Sequence, residues 1–154
     1  MLRSFVILPS LIIGFAIPAL AQESPRKAVE AFFGKYNDTI LKKDAAGLAA
    51  MYTQDGIEVT PQGPVAGREA LQKLFTGALK PVIDHAAKVD QVGAVSDAPL
   101  WATGSWSATI ESSNGPVKIS GFWGATFTRD VGDLRITTLT YNMTPASAPQ
   151  EATK

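Results

Sequence analysis

The amino-acid sequence predicts one α+β domain, in which N-terminal helices cover a curved antiparallel sheet. Three observations predict it. Apolar residues recur at helical spacing in two early segments, residues 25–43 and 67–79. After Pro81 the apolar period changes to two. Turn-forming clusters at Ser112–Gly115 and Arg129–Asp133 then divide the remainder into a meander. Helices gathered ahead of strands argue against an alternating, parallel architecture.

Each element has its own warrant. Ser24-Pro25 is a helix start, a hydroxyl cap followed by a residue that needs no donor. Val29, Phe32, Phe33, Tyr36 and Ile40 form one apolar stripe, and Lys42-Lys43 meet the negative end of the helix. Asp44 caps a second helix with Leu48, Met51 and Tyr52 on its buried side. Gly56–Thr60 alternates as a strand, and Pro61–Pro64 ends it in a turn. Gly67–Leu79 returns to helix until Pro81. Strands follow over residues 82–95, 100–111, 117–128 and 134–143. Gly104, Gly121 and Gly124 fall inside strand patterns, where they suggest bends or bulges. A sheet curled in this way under helices leaves a conical cavity.

Residues 1–21 read as an export signal. Arg3 leads an apolar run, and Ala19-Leu20-Ala21 suits cleavage before Gln22. The run is interrupted and falls short of the about 20 apolar residues a membrane span needs. The expected divisions are therefore a signal peptide at 1–21, a domain at 22–145 and a small polar tail at 146–154. The expected address is periplasmic or secreted. A domain of this size hides about two-thirds of its unfolded surface, enough for a true core. The chain has no cysteine, so disulfides and thiol chemistry are excluded. Its 14 basic and 14 acidic residues show no basic patch, which argues against nucleic acid as a partner.

The order and spacing of Asp44–Leu79 resemble the nuclear transport factor 2-like superfamily, in particular its SnoaL-like and ketosteroid-isomerase-like branches. The most specific segments are Tyr-Thr-Gln-Asp-Gly at 52–56, Pro-x-Gly-Pro-Val-x-Gly-Arg-Glu-Ala at 61–70 and Thr-Tyr-Asn at 140–142. The resemblance implies a cone-shaped roll of the cystatin-like kind, often a homodimer through the outer sheet face. Ketosteroid isomerases use a tyrosine, an aspartate base and a protonated aspartic acid in the cone. By alignment those positions are Tyr36, Thr60 and Trp123. Only the tyrosine is kept. Threonine does not titrate usefully and tryptophan has no labile proton, so that acid–base set is absent.

Other residues can supply chemistry. Glu58 shares a strand side with Thr60. Inside the cavity its pKa would rise enough to make it a base, whereas at the rim it would sit in water. Tyr36 is a donor into the cavity or a core tyrosine. Trp123 faces the cavity and Phe122 an outer partner, although packing alone accounts for both. Thr140 and Asn142 fall on the same side as Ile136 and Thr138, toward the cavity mouth, and Asn142 could equally fix a strand end.

His85 is the only histidine, so a tight transition-metal site is not expected. Its neighbour Asp84 would point to the opposite face, which argues against an acid–base pair. Asn37-Asp38-Thr39 and Asn142-Met143-Thr144 match a glycosylation pattern of low specificity. No phosphate-binding loop is present, and no cofactor is implied. Two readings result. One is an exported module that binds a small apolar molecule through Tyr36, Thr60, Trp123, Thr140 and Asn142. The other is a cofactor-free isomerase, cyclase or dehydratase with Glu58 as base and Tyr36 as oxyanion donor.

Overall fold

The computed structural model describes residues 24–94, 99–130 and 132–144. The expected signal peptide and the tail lie outside these residues. Helix α1 (Pro25–Leu41) starts where Ser24 Oγ accepts from the Lys27 N–H, and it buries the five residues of its apolar stripe. Asp44 caps α2 (Ala45–Ala50) through the Gly47 N–H. Helix α2 ends a turn early, because Tyr52 already opens strand β1 (Tyr52–Thr60). The segment expected as a plain turn carries a short strand, β2 (Gly63–Ala66), paired antiparallel to β1. Pro64 is tolerated there because β2 is an edge strand. Helix α3 (Arg68–Ala78) follows. Strands β3 (Val82–Gly93), β4 (Leu100–Ile110), β5 (Val117–Asp130) and β6 (Asp133–Tyr141) complete the domain.

The six strands form one curved, unclosed sheet in the order β2-β1-β6-β5-β4-β3. It is mixed, not purely antiparallel. β1 runs parallel to β6. The intervening chain carries a helix and further strands and returns β6 to the inner edge of β1, a connection too long for a hairpin.

Register shifts accompany the curvature, and one of them falls opposite Gly104. Register shifts fall at Val82/Asp84 and Val89/Gln91 on β3 and at Thr126/Phe127 between β5 and β6. The β4–β5 ladder runs unbroken through Gly104, Gly121 and Gly124. Gly104 and Gly121 instead permit close approach. A Cβ at Gly104 would collide with the Lys88 carbonyl, and one at Gly121 with the Asn142 carbonyl.

Each bulge reverses which side chains face inward, since the side-chain period of a strand is two. On β6, Leu134 and Ile136 are buried, then Leu139; Thr137 is the extra residue, opposite no partner on β5. The core lies between α1, α3 and the concave face, where Phe127 and Ile136 are 1% and 0% exposed. Burial of each such side chain contributes about 1.5–3 kcal/mol. On the convex face Phe122 is 58% exposed. Lys43, expected to serve the end of α1, adopts φ 58° and donates its Nζ protons to the carbonyls of Leu79, Lys80 and Val82. It therefore satisfies the C-terminal end of α3. No helix among the described residues is long and apolar enough to cross a membrane.

Candidate functional site

The concave face and helices enclose a cavity of about 270 Å³. Its polar lining comes from Tyr36 on α1, Glu58 on β1, His85 on β3 and Tyr141 on β6, with Trp106 and Trp123 from β4 and β5. The rest is largely aliphatic and aromatic.

Glu58 is 5% exposed, so it lies inside the cavity and not at the rim. Tyr52 Oη donates to its Oε2 at 2.6 Å. Loss of hydration pushes the Glu58 carboxyl up to about 7, against the smaller opposing pull of the Tyr52 hydrogen bond. Burial and the neighbouring carboxylate raise the phenols of Tyr36 and Tyr52, so both remain protonated donors. Tyr52 is itself held at its main chain. Arg68, at the start of α3, donates from Nε and Nη2 to the Tyr52 carbonyl at 2.9 and 2.7 Å.

His85 reaches the cavity because the β3 bulge at Ile83 puts Val82 and His85 on one side, although they are three residues apart. Asp84 points away; its carboxylate accepts from the His85 main-chain N–H at 2.8 Å. The ring partner is Asn37. Asn37 Oδ1 accepts from the Ala87 N–H at 2.9 Å, and Asn37 Nδ2 donates to the Ala87 carbonyl at 3.3 Å. These bonds fix which amide atom is oxygen. The same Oδ1 lies 3.0 Å from His85 Nδ1, which must therefore carry the proton. Nε2 is left as an acceptor. Burial lowers the His85 pKa to about 4, with Asp84 opposing, so the ring is neutral.

Trp123 is 5% exposed and lines the cavity, its ring centroid 4.1 Å from that of Phe33. Its Nε1 already donates to the Ser105 carbonyl at 3.2 Å.

Three expected ligand residues are not brought to the cavity. The Thr60 hydroxyl is used in the turn after β1, donating to the Gly63 carbonyl and accepting from the Gln62 N–H. Thr140 is exposed on the convex face, because the Thr137 bulge turns Leu139 and Tyr141 inward instead. Asn142 fixes a strand end. Its Oδ1 accepts from the Phe122 N–H at 2.8 Å, and its carbonyl accepts from Trp106 Nε1 at 3.0 Å.

Sequence reasoning misses Tyr52, Asn37, Trp106 and Tyr141 and discounts His85. Tyr52 and Glu58 are six residues apart, but the β1 register shifts between Tyr52 and Ile57, so the fold and not plain alternation brings them together. Asn37 stands out in the sequence only as part of a glycosylation pattern; its amide is engaged with β3.

A curved, unclosed sheet with covering helices and a cavity between them is the arrangement of a nuclear transport factor 2-like domain. Residues 29–138 match the SnoaL-like domain family, and the chain belongs to it. Solved structures of similar fold include a ketosteroid isomerase-like protein from Erwinia carotovora atroseptica, at 15% identity and TM-score 0.70 over 81% of this chain and 100% of that one. A single-site variant of Rv3472, a protein of unknown function from Mycobacterium tuberculosis, superposes at 18% identity and TM-score 0.67, over 79% of this chain and 73% of that one. ActVI-ORFA from Streptomyces coelicolor shows 18% identity and TM-score 0.62, over 77% of this chain and 96% of that one. At such identities the likeness concerns the fold alone. No curated protein sequence matches the chain.

Proposed function

We propose that this domain binds a small, uncharged, largely apolar molecule bearing one hydroxyl or carbonyl group. The observation that carries this reading is the setting of Glu58, a carboxyl group 5% exposed, bonded to Tyr52 and walled by apolar side chains. Desolvation favours the neutral form of both Glu58 and His85. An anionic ligand would lose its hydration there and find no lysine or arginine among the lining residues. A neutral one finds a donor at Tyr36 and an acceptor at His85 Nε2.

The test is a titration of 2-naphthol, naphthalene and 2-naphthoate, followed by the fluorescence of Trp106 and Trp123. 2-Naphthol should bind best, and Tyr36→Phe should weaken it by roughly 2- to 10-fold. Equal binding of naphthalene, or tightest binding of naphthoate, would overturn the reading.

Proton transfer is the second reading, favoured by the same carboxyl group at about 7. An acid of that strength can both take and return a proton near neutral pH. Glu58 would remove a proton alpha to a ketone, Tyr36 would donate to the enolate oxygen, and Glu58 would return the proton to carbon. 2-Tetralone in deuterated buffer should then exchange its alpha protons with wild-type protein and not with Glu58→Gln. Equal rates in the two would leave binding alone.

Export and homodimerisation belong to the same proposal. Intact mass of secreted protein should begin at Gln22. Light scattering should give twice the chain mass, with Phe122 at the contact.

A further inference from the structure

A second depression, of about 320 Å³, lies on the other side of α1, between that helix and the β5–β6 hairpin. Phe32, Met51 and Leu134 give it an apolar floor. Lys35, Arg129 and Arg135 surround it, with Asp133 the one acid among its lining residues. That is an excess of cations in a chain whose basic and acidic residues balance, 14 against 14.

None of the three cations forms an ion pair among the described residues, where Arg26–Glu30 is the ion pair present. Among the described residues Arg129 Nη1 donates to the Gly132 carbonyl, at 3.3 Å. The Nε of Arg135 is buried and meets no acceptor among the described residues. A buried charged donor without an acceptor is costly, and an arriving acceptor would remove that cost. The planar guanidinium fork matches the two oxygens of a carboxylate or phosphate. Lys35, one α1 turn from Phe32, and Arg129, at the hairpin, stand on opposite sides of the depression as further positive charge.

We propose that this groove is a second ligand site, which takes a small molecule through an oxyanion group held by Arg135 and flanked by Lys35 and Arg129. The site differs from the sheet cavity in sign and in chemistry. One selects against charge and the other for negative charge. It does not depend on the reading of Glu58.

The experiment is an amide-resolved NMR titration of the full mature chain with two probes, inorganic phosphate and octanoate. Saturable shifts confined to the residues around Lys35 and 129–135 are expected with at least one probe. Preference for phosphate identifies a phosphate-type ligand, and preference for octanoate a carboxylate whose tail lies on the Phe32–Leu134 floor. Affinity should fall with salt. Arg135→Gln should weaken binding about 10-fold or more. The double variant Lys35→Ala, Arg129→Ala, at exposed positions, should weaken it without disturbing the fold. In both variants 2-naphthol binding in the sheet cavity should be unchanged. Absence of saturable shifts at this groove with either probe, or undiminished binding by both variants, would overturn the proposal.

Discussion

The β1 wall and the β3 wall of the cavity carry one titratable group each, and the same cause moves them in opposite directions. Glu58 on β1 rises to about 7, and His85 on β3 falls to about 4. Loss of water opposes whichever form is charged, so both groups are shifted toward their neutral forms. Their supports differ in kind. Glu58 is held by a hydroxyl, Tyr52, which could be removed without touching the backbone. His85 is held by Asn37, whose amide also bonds the β3 main chain. The acid is thus tunable, while the base is tied into the architecture.

The largest effect expected is on stability against pH. Glu58 binds its proton more tightly folded than unfolded, so its contribution favours the fold below 4.5 and is lost as pH rises to about 7. The full change is about 3 kcal/mol. His85 acts with the opposite sign. Its contribution is present above 6.5 and is lost as pH falls toward about 4. The two oppose each other between 4.5 and 6.5. Urea unfolding of Glu58→Gln should therefore show stability rising with pH over that window, and His85→Asn the reverse. Flat profiles in both variants would break the comparison.

Tyr52→Phe comes next. It should lower stability by about 1–3 kcal/mol through the lost buried hydrogen bond. It should also carry the Glu58 pKa above its wild-type value, read by carbon-detected NMR, since Tyr52 is the group that pulls it down.

Asn37→Asp sharpens the other wall. A carboxylate beside Nδ1 should raise the His85 pKa above about 4. As the only histidine, its ring proton signals titrate without overlap.

The smallest effect lies outside both walls. Phe122→Glu, on the convex face, should alter monomer stability by less than about 0.5 kcal/mol. It should abolish dimer mass in light scattering if that face is the contact.

Much of the fold was legible in the chain. Helix α1, with its Ser24-Pro25 start and its Val29–Ile40 stripe, follows from spacing alone. So do the long strands and their turns. The site was legible in part. Tyr36, Glu58 and Trp123 line the cavity, and each is read over a short stretch, in the case of Glu58 one that begins after the β1 register shift. The assignment of Thr140 and Asn142 counts across Thr137, where the count fails. His85 lacks a partner in the sequence because only tertiary packing supplies it, 48 residues away on α1. Bulges leave little trace in residue type, and distant hydrogen bonds leave none. The parallel β1–β6 pairing is equally a property of the whole chain.

The unmatched Thr137 gives the final strand an unusual relation to chain length. Deleting that one residue would restore plain alternation, with Ile136, Leu139 and Tyr141 still inward and Thr138 and Thr140 still outward. The bulge thus holds the greasy lining in place in an arm one residue longer than plain alternation needs. Homologues one residue shorter in this arm can therefore keep the same lining, since the bulge absorbs the difference in length.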